Sequence, residues 1–80
     1  MMRLVFTAHA LERMKERGIT EEEIHRVLAS PLSTSRGSRG EMRAEGVGHG
    51  RIVKVVYYER KGIRLIITAW IVGDSDEGRR

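Results

Sequence analysis

Apolar and polar residues recur along this chain with two different periods, and the change of period divides it. In the first third, Ala10, Leu11 and Met14 are spaced as the stripe of an amphipathic helix over 8–17. Thr7 stands where an N-cap belongs, and Gly18 where a left-handed C′ residue ends the helix. After Ile19, the run Thr20-Glu21-Glu22-Glu23 has the form of a capping box, with Ile19 and Ile24 at the positions of a hydrophobic staple. The second helix then buries Ile24, Val27 and Leu28. It stops before Pro31, because the residue preceding proline avoids the helical region.

Beyond residue 33 the helical period is lost. Ser, Gly and Arg dominate up to Gly50, with turn punctuation at Gly37, Gly40, Gly46, Gly48 and Gly50 and a short strand expected at Glu41–Glu45. Two β-rich runs follow, Arg51–Arg60 and Ile63–Val72, and Lys61-Gly62 between them fits a tight hairpin turn. That turn sets Tyr57 opposite Ile66, Val56 opposite Ile67, Val55 opposite Thr68 and Val53 opposite Trp70. By the strand period of two, Ile52, Val56, Tyr58, Leu65, Ile67, Ala69 and Ile71 share one face with Lys54, and this face is expected to meet the helices. Val53, Val55, Tyr57, Glu59, Arg64, Ile66, Thr68 and Trp70 make up the other. The architecture expected is α+β: two N-terminal helices packed on one face of an antiparallel three- or four-stranded sheet, in the order α-α-β-β-β. A single domain over 1–73 is expected, with a disordered tail over 74–80 that carries no apolar anchor.

Charge narrows the partners. The chain has 80 residues and a formal net charge of +4, with 15 Lys and Arg against 11 Asp and Glu. Residues 36–64 carry eight of those cations and three Glu, a net +5 that leaves −1 for the remainder. Basic charge concentrated in this way suits an anionic partner such as RNA, or else a solvated basic face. Cysteine is absent, and His9, His25 and His49 show no ligand spacing, so no metal and no cofactor are expected. No apolar run approaches the roughly 20 residues that span a bilayer, and the N-terminal apolar stretch is too short for a signal peptide. A cytoplasmic protein without a membrane partner is the expectation.

Candidate chemistry centres on the first helix, where His9, Arg13 and Arg17 fall on one ridge. Arg grips phosphate oxygens with two parallel donors, and His exchanges a proton near neutral pH, so the pair suits a phosphodiester. The first-turn position favours the neutral imidazole, a form that acts as a base. Each residue also has a plainer reading: His9 as a helix-start residue satisfying backbone, Arg13 as an ion pair with Glu12 or Glu16, and Arg17 as a cation complementing the helix end. On the strands, Thr68 offers a hydroxyl to phosphate, Tyr57 a ring or proton donor, Lys54 a cation and Trp70 a stacking surface. Arg17, Arg36, Arg39, Arg43 and Arg51 complete the candidate RNA contacts. Glu21, Glu22 and Glu23 are accounted for as acids at a helix N-terminus. The glycines at 46, 48 and 50 lack the Lys and Ser/Thr of a phosphate-binding loop.

Phe6-Thr7-Ala8-His9-Ala10, Arg13-Met14, Arg17-Gly18-Ile19, Glu23-Ile24 and the strand Ile66-Ile67-Thr68-Ala69-Trp70 stand in an order that resembles the domain-of-unknown-function family numbered 4258. The likeness runs from about Leu4 to Val72. It implies kinship with RelE-like and BrnT-like toxins, a RelE/barnase-like fold, and metal-independent cleavage of RNA through attack by the 2′-hydroxyl. In that reading His9, Arg13 and Thr68 occupy the family's characteristic polar positions. In the mechanism expected here Tyr57 or Lys54 joins Thr68 in positioning the phosphate, and an antitoxin protein binds at a sheet edge. The alternative is a non-catalytic RNA- or protein-binding module of the same fold.

Overall fold

A computed structural model describes residues 2–74. A strand comes first: β1 (Arg3–Phe6) precedes α1 (Ala8–Arg17) and α2 (Glu21–Ala29), and β2 (Ser33–Arg36), β3 (Met42–Val47), β4 (Arg51–Arg60) and β5 (Ile63–Asp74) follow. The five strands form one mixed sheet in the order β1-β5-β4-β3-β2, with β1 parallel to β5 and the other pairs antiparallel. This overturns the expected α-α-β-β-β order and the purely antiparallel sheet of three or four strands. β1 is a four-residue run whose partner lies at the other end of the chain, so nothing local marks it. β2, Ser-Thr-Ser-Arg, is exposed throughout and carries no apolar alternation. The expected tail over 74–80 lies outside the described residues, apart from Asp74 at the end of β5.

Both helices have the ends their residues dictate. The Thr7 side chain accepts from Ala10 N, and Gly18 closes α1 at φ 68° in the left-handed region. Thr20 and Glu23 form both halves of the capping box, and Ile19 and Ile24 are buried on either side of it. At the hairpin, Lys61 (φ 50°) and Gly62 (φ 81°) supply the two left-handed residues of the tight β4–β5 turn.

The facing of β4 and β5 departs from expectation. Tyr57 pairs with Ile66 as anticipated, but Val56 pairs with Thr68, Val55 with Ala69 and Val53 with Ile71. Ile67 is therefore a bulge residue, and alternation beyond it is displaced by one. The core consists of Ala44, Val53, Val55, Tyr57, Ile66 and Ala69 packed with Ala10, Met14, Ile19, Ile24, Val27 and Leu28, while Leu4, Phe6, Met42 and Ile71 close its margins. Thus the helices cover the β4 face that carries Tyr57, not the one that carries Tyr58. Both faces of β4 are rich in Val, Ile and Tyr, so alternation alone did not separate them. α1 lies on β5, and α2 lies on β3 and β4. Among the described residues no helix lies on the opposite face of the sheet.

Candidate functional site

The candidate residues divide among the exposed side of α1, the interior, the uncovered face of the sheet, the β2 edge, and the contact of α2 with the β3–β4 turn. On α1, His9 is exposed in the first turn and has no hydrogen-bond partner among the described residues. One turn on, Arg13 is half-buried and its Nη1 lies 2.9 Å from Glu16 Oε1, the plain ion pair weighed for it. Arg17 Nη1 donates to the Ala69 carbonyl at 2.8 Å. β1 pairs with β5 only as far as Ile66, so α1 takes over where the strand leaves off. Thr7 N and Oγ1 donate to the Ile66 carbonyl at 3.2 and 3.1 Å, and Arg17 satisfies Ala69 further along. Arg17 thus docks the helix on the strand, and it carries the His9–Arg13 ridge toward the β5 side of the molecule.

Tyr57 is interior. It is 3 % exposed, and the Arg64 guanidinium stands 5.4 Å from its ring centroid on the side toward the chain end of α2. Arg64 also pairs with Glu59 at 3.1 Å and reaches the Leu28 carbonyl at 3.5 Å. A ring so enclosed offers no stacking surface to a base.

The uncovered face holds Arg43, Lys54, Thr68 and Trp70. Cross-strand register aligns Glu45, Lys54 and Trp70 in one row and Arg43, Val56 and Thr68 in the next. Lys54 Nζ lies 6.0 Å from the Trp70 ring centroid and 3.8 Å from Glu45 Oε2, so its charge is held over the face. Lys54 and Thr68 are therefore together, but on the layer opposite to α1 and its His9 and Arg13. Arg36, in register with Met42, and Arg39, in the turn after β2, are exposed apart from this face, and Glu41 follows that turn. Its carboxylate accepts from Arg39 N at 3.1 Å and pairs with Arg43 at 3.0 Å.

Arg51 belongs to a different arrangement, one the sequence did not disclose. Glu23 is fully buried, and Arg51 grips it with two donors, Nε to Oε2 at 2.8 Å and Nη2 to Oε1 at 3.0 Å. His49 N adds a third bond at 3.1 Å, and Thr20 N a fourth at 3.4 Å. Arg51 Nη2 also reaches the Gly18 carbonyl at 2.6 Å. The Arg51 hydrogen bond outweighs the opposing effect of burial, and the two backbone donors add to it, so the Glu23 carboxyl titrates at about 2. Gly48 makes room for the Glu23 side chain, since a Cβ there would overlap Glu23 Cγ. Glu23 and the glycines at 46 and 48 thus join α2 to the β3–β4 turn. The capping-box pattern located Glu23, but nothing in it distinguished Glu23 from Glu21 and Glu22 as the buried acid.

One further surface was missed. Where β1, β5 and β4 meet on the uncovered face, Val5, Tyr58, Ile63 and Leu65 floor a groove of about 580 Å³, and Arg60 and Lys61 stand at its rim. No group of three His, Asp or Glu among the described residues is placed to hold a metal ion. None of the helices is long and apolar enough to cross a membrane.

Comparison with known proteins yields one match. Neither curated proteins nor solved structures match the chain. A family model described as Domain of unknown function (DUF4258) matches residues 6–71, which takes in α1, α2, and β2 to β5 almost to its end. The chain belongs to the DUF4258 family.

Proposed function

We propose that this protein is a small cytoplasmic endoribonuclease of toxin type, allied to the RelE-like and BrnT-like proteins, that cleaves RNA without a metal ion. The observation that carries this reading is the pairing on α1 of an exposed His9, unpartnered among the described residues, with Arg13 one turn away. His9 takes the proton of a ribose 2′-hydroxyl, whose oxygen attacks the adjacent phosphorus. The bond from phosphorus to the 5′-oxygen breaks, and that oxygen takes a proton from solvent. The products are a 2′,3′-cyclic phosphate and a 5′-hydroxyl. Arg13 exchanges the exposed Glu16 for the phosphate, a substitution that costs little because such a pair is worth about 0.2–0.5 kcal/mol. Tyr57 has no part in this scheme, and Arg51 is committed to Glu23. In a toxin an antitoxin protein completes the system, and the sheet offers it two terminal strands, β1 and β2.

The test is cleavage of RNA by purified protein in excess EDTA, with the new ends mapped. Wild type should produce cyclic-phosphate ends. His9→Ala should lose about 10²–10⁴ in rate, the worth of one general acid–base group. Arg13→Lys should fall well short of wild type, since Lys offers no paired donors. Intact RNA with wild type, or wild-type rates with His9→Ala, refutes the proposal.

One observation favours a second reading: Arg43, Lys54, Thr68 and Trp70 share the uncovered face, apart from His9. A non-catalytic RNA-binding module would use that face. It would bind RNA with an affinity falling steeply with salt and leave it whole.

A further inference from the structure

We propose that the groove between β1, β5 and β4 is a docking site for an acidic amphipathic segment of a partner protein. The floor is unusual for a surface. Tyr58 is 40 % and Ile63 41 % exposed, and Val5 and Leu65 lie half-buried beside them. These side chains come from three adjacent strands through direct register, with Val5 opposite Leu65 and Tyr58 opposite Leu65 on its other side. They form one contiguous apolar surface and not scattered exposed residues, which is the pattern that marks an interaction site.

Charge decides the occupant. Arg60 and Lys61 at the rim are exposed and make no ion pair among the described residues. Arg3, in register with Ile63 on β1, is likewise exposed and unpaired. The acid that lines the groove, Glu59, is already neutralised by Arg64 at 3.1 Å. The groove therefore presents an apolar floor with two uncompensated cations at its rim and a third, Arg3, beside Ile63 on the neighbouring strand. A second copy of this chain would bring the same cations against one another, a juxtaposition that costs free energy. Single-stranded RNA would find one ring, Tyr58, among aliphatic side chains that do not stack with bases. A segment with apolar residues on one side and carboxylates flanking them matches both features: the apolar side covers the floor, and the carboxylates meet Arg3, Arg60 and Lys61.

This inference does not depend on ribonuclease activity. The probe is a synthetic amphipathic peptide of Leu and Glu in helical repeat, titrated into the full chain and followed by NMR shifts of the Val5, Ile63 and Leu65 methyl groups. A Leu and Lys peptide of the same pattern serves as the comparison. The Leu–Glu peptide should shift those methyl groups and bind more weakly as salt rises, and the Leu–Lys peptide should not bind. Arg60→Glu and Ile63→Glu should each weaken binding about tenfold or more. Both positions are exposed, and unchanged thermal melting verifies that the variants fold. RNA cleavage should be unaffected by either variant, and peptide binding unaffected by His9→Ala, so each proposal fails separately. No shift in the folded wild type, equal binding of the two peptides, or a concentration-dependent dimer that buries Ile63 overturns the assignment. So does displacement of the peptide by oligouridylate.

Discussion

A buried carboxylate is costly unless its charge is matched, and Glu23 shows how completely the chain meets that demand. Arg51, His49 N and Thr20 N together fill its acceptor sites. Because the folded carboxyl titrates at about 2 and the ordinary value is 4.5, the folded state holds fewer protons than the unfolded chain between these values. The associated stability is fully present above about pH 4.5 and is lost as pH falls toward 2, a change on the order of 3 kcal/mol. Urea denaturation at pH values from 7 down to 2 should show this decline. Arg51→Met leaves the carboxylate buried without its cation. It should cost about 2–3 kcal/mol at pH 7, less than a wholly interior pair because Arg51 is itself 26 % exposed. The same variant should flatten the acid dependence, since its Glu23 loses the largest cause of so low a titration and keeps only the two backbone donors. An acid profile as steep in Arg51→Met as in wild type would show that the dependence arises elsewhere.

Between elements, one residue does the work of a strand. Thr7 caps α1 by accepting from Ala10 N at 3.0 Å, and its hydroxyl donates to the Ile66 carbonyl at 3.1 Å, where β1 ends. Thr7→Ala should therefore cost about 1–2 kcal/mol in chemical denaturation, at the upper end for an N-cap, and Thr7→Ser should recover most of it. Equal loss in both variants would point to the methyl group instead. The cap, the Gly18 terminus and the capping box at Thr20 were legible in the sequence because each is a local interaction between residues three or four apart. The strands β4 and β5 and the turn between them were legible for the same reason. β1 was not, because its stability comes from a parallel partner some 60 residues away. The bulge at Ile67 was not, because Ile66, Ile67 and the neighbouring Val residues are all apolar and support either register. The bulge sets Ala69 and Ile71 opposite Val55 and Val53, on the face the helices cover, and leaves Thr68 and Trp70 opposite Val56 and Lys54 on the other. Of the candidate site, the α1 ridge was readable as a helical spacing. The relation of Lys54 and Thr68 to that ridge depends on which side of the sheet α1 packs, and no spacing along the chain encodes it.

At the scale of the whole molecule, the two proposed surfaces lie on opposite layers. His9 and Arg13 stand on α1, whose Ala10 and Met14 pack into the core with Ile66 and Ala69, and the groove opens on the other side of the same sheet. The sheet between them is rigidly packed: Val53, Val55, Ile66 and Ala69 are all fully buried, and no buried side-chain polar atom among the described residues lacks a partner. A packed layer of this kind transmits little unless an element has two arrangements, and nothing in the core provides a second one. Occupancy of the groove should accordingly leave the α1 chemistry unchanged unless the bound segment reaches around the β1 edge. A double-mutant cycle measures this directly. The effects of His9→Ala and Ile63→Glu on RNA cleavage and on denaturation should add within about 0.5 kcal/mol, as expected for sites with no shared partners. Addition of the Leu–Glu peptide should likewise leave the cleavage rate within about twofold of its free value. A coupling larger than this would mean that the acidic partner acts on the catalytic ridge through β1, whose last residue, Phe6, adjoins the Thr7 cap of α1. Thr7→Ala should then abolish the coupling while leaving peptide affinity intact.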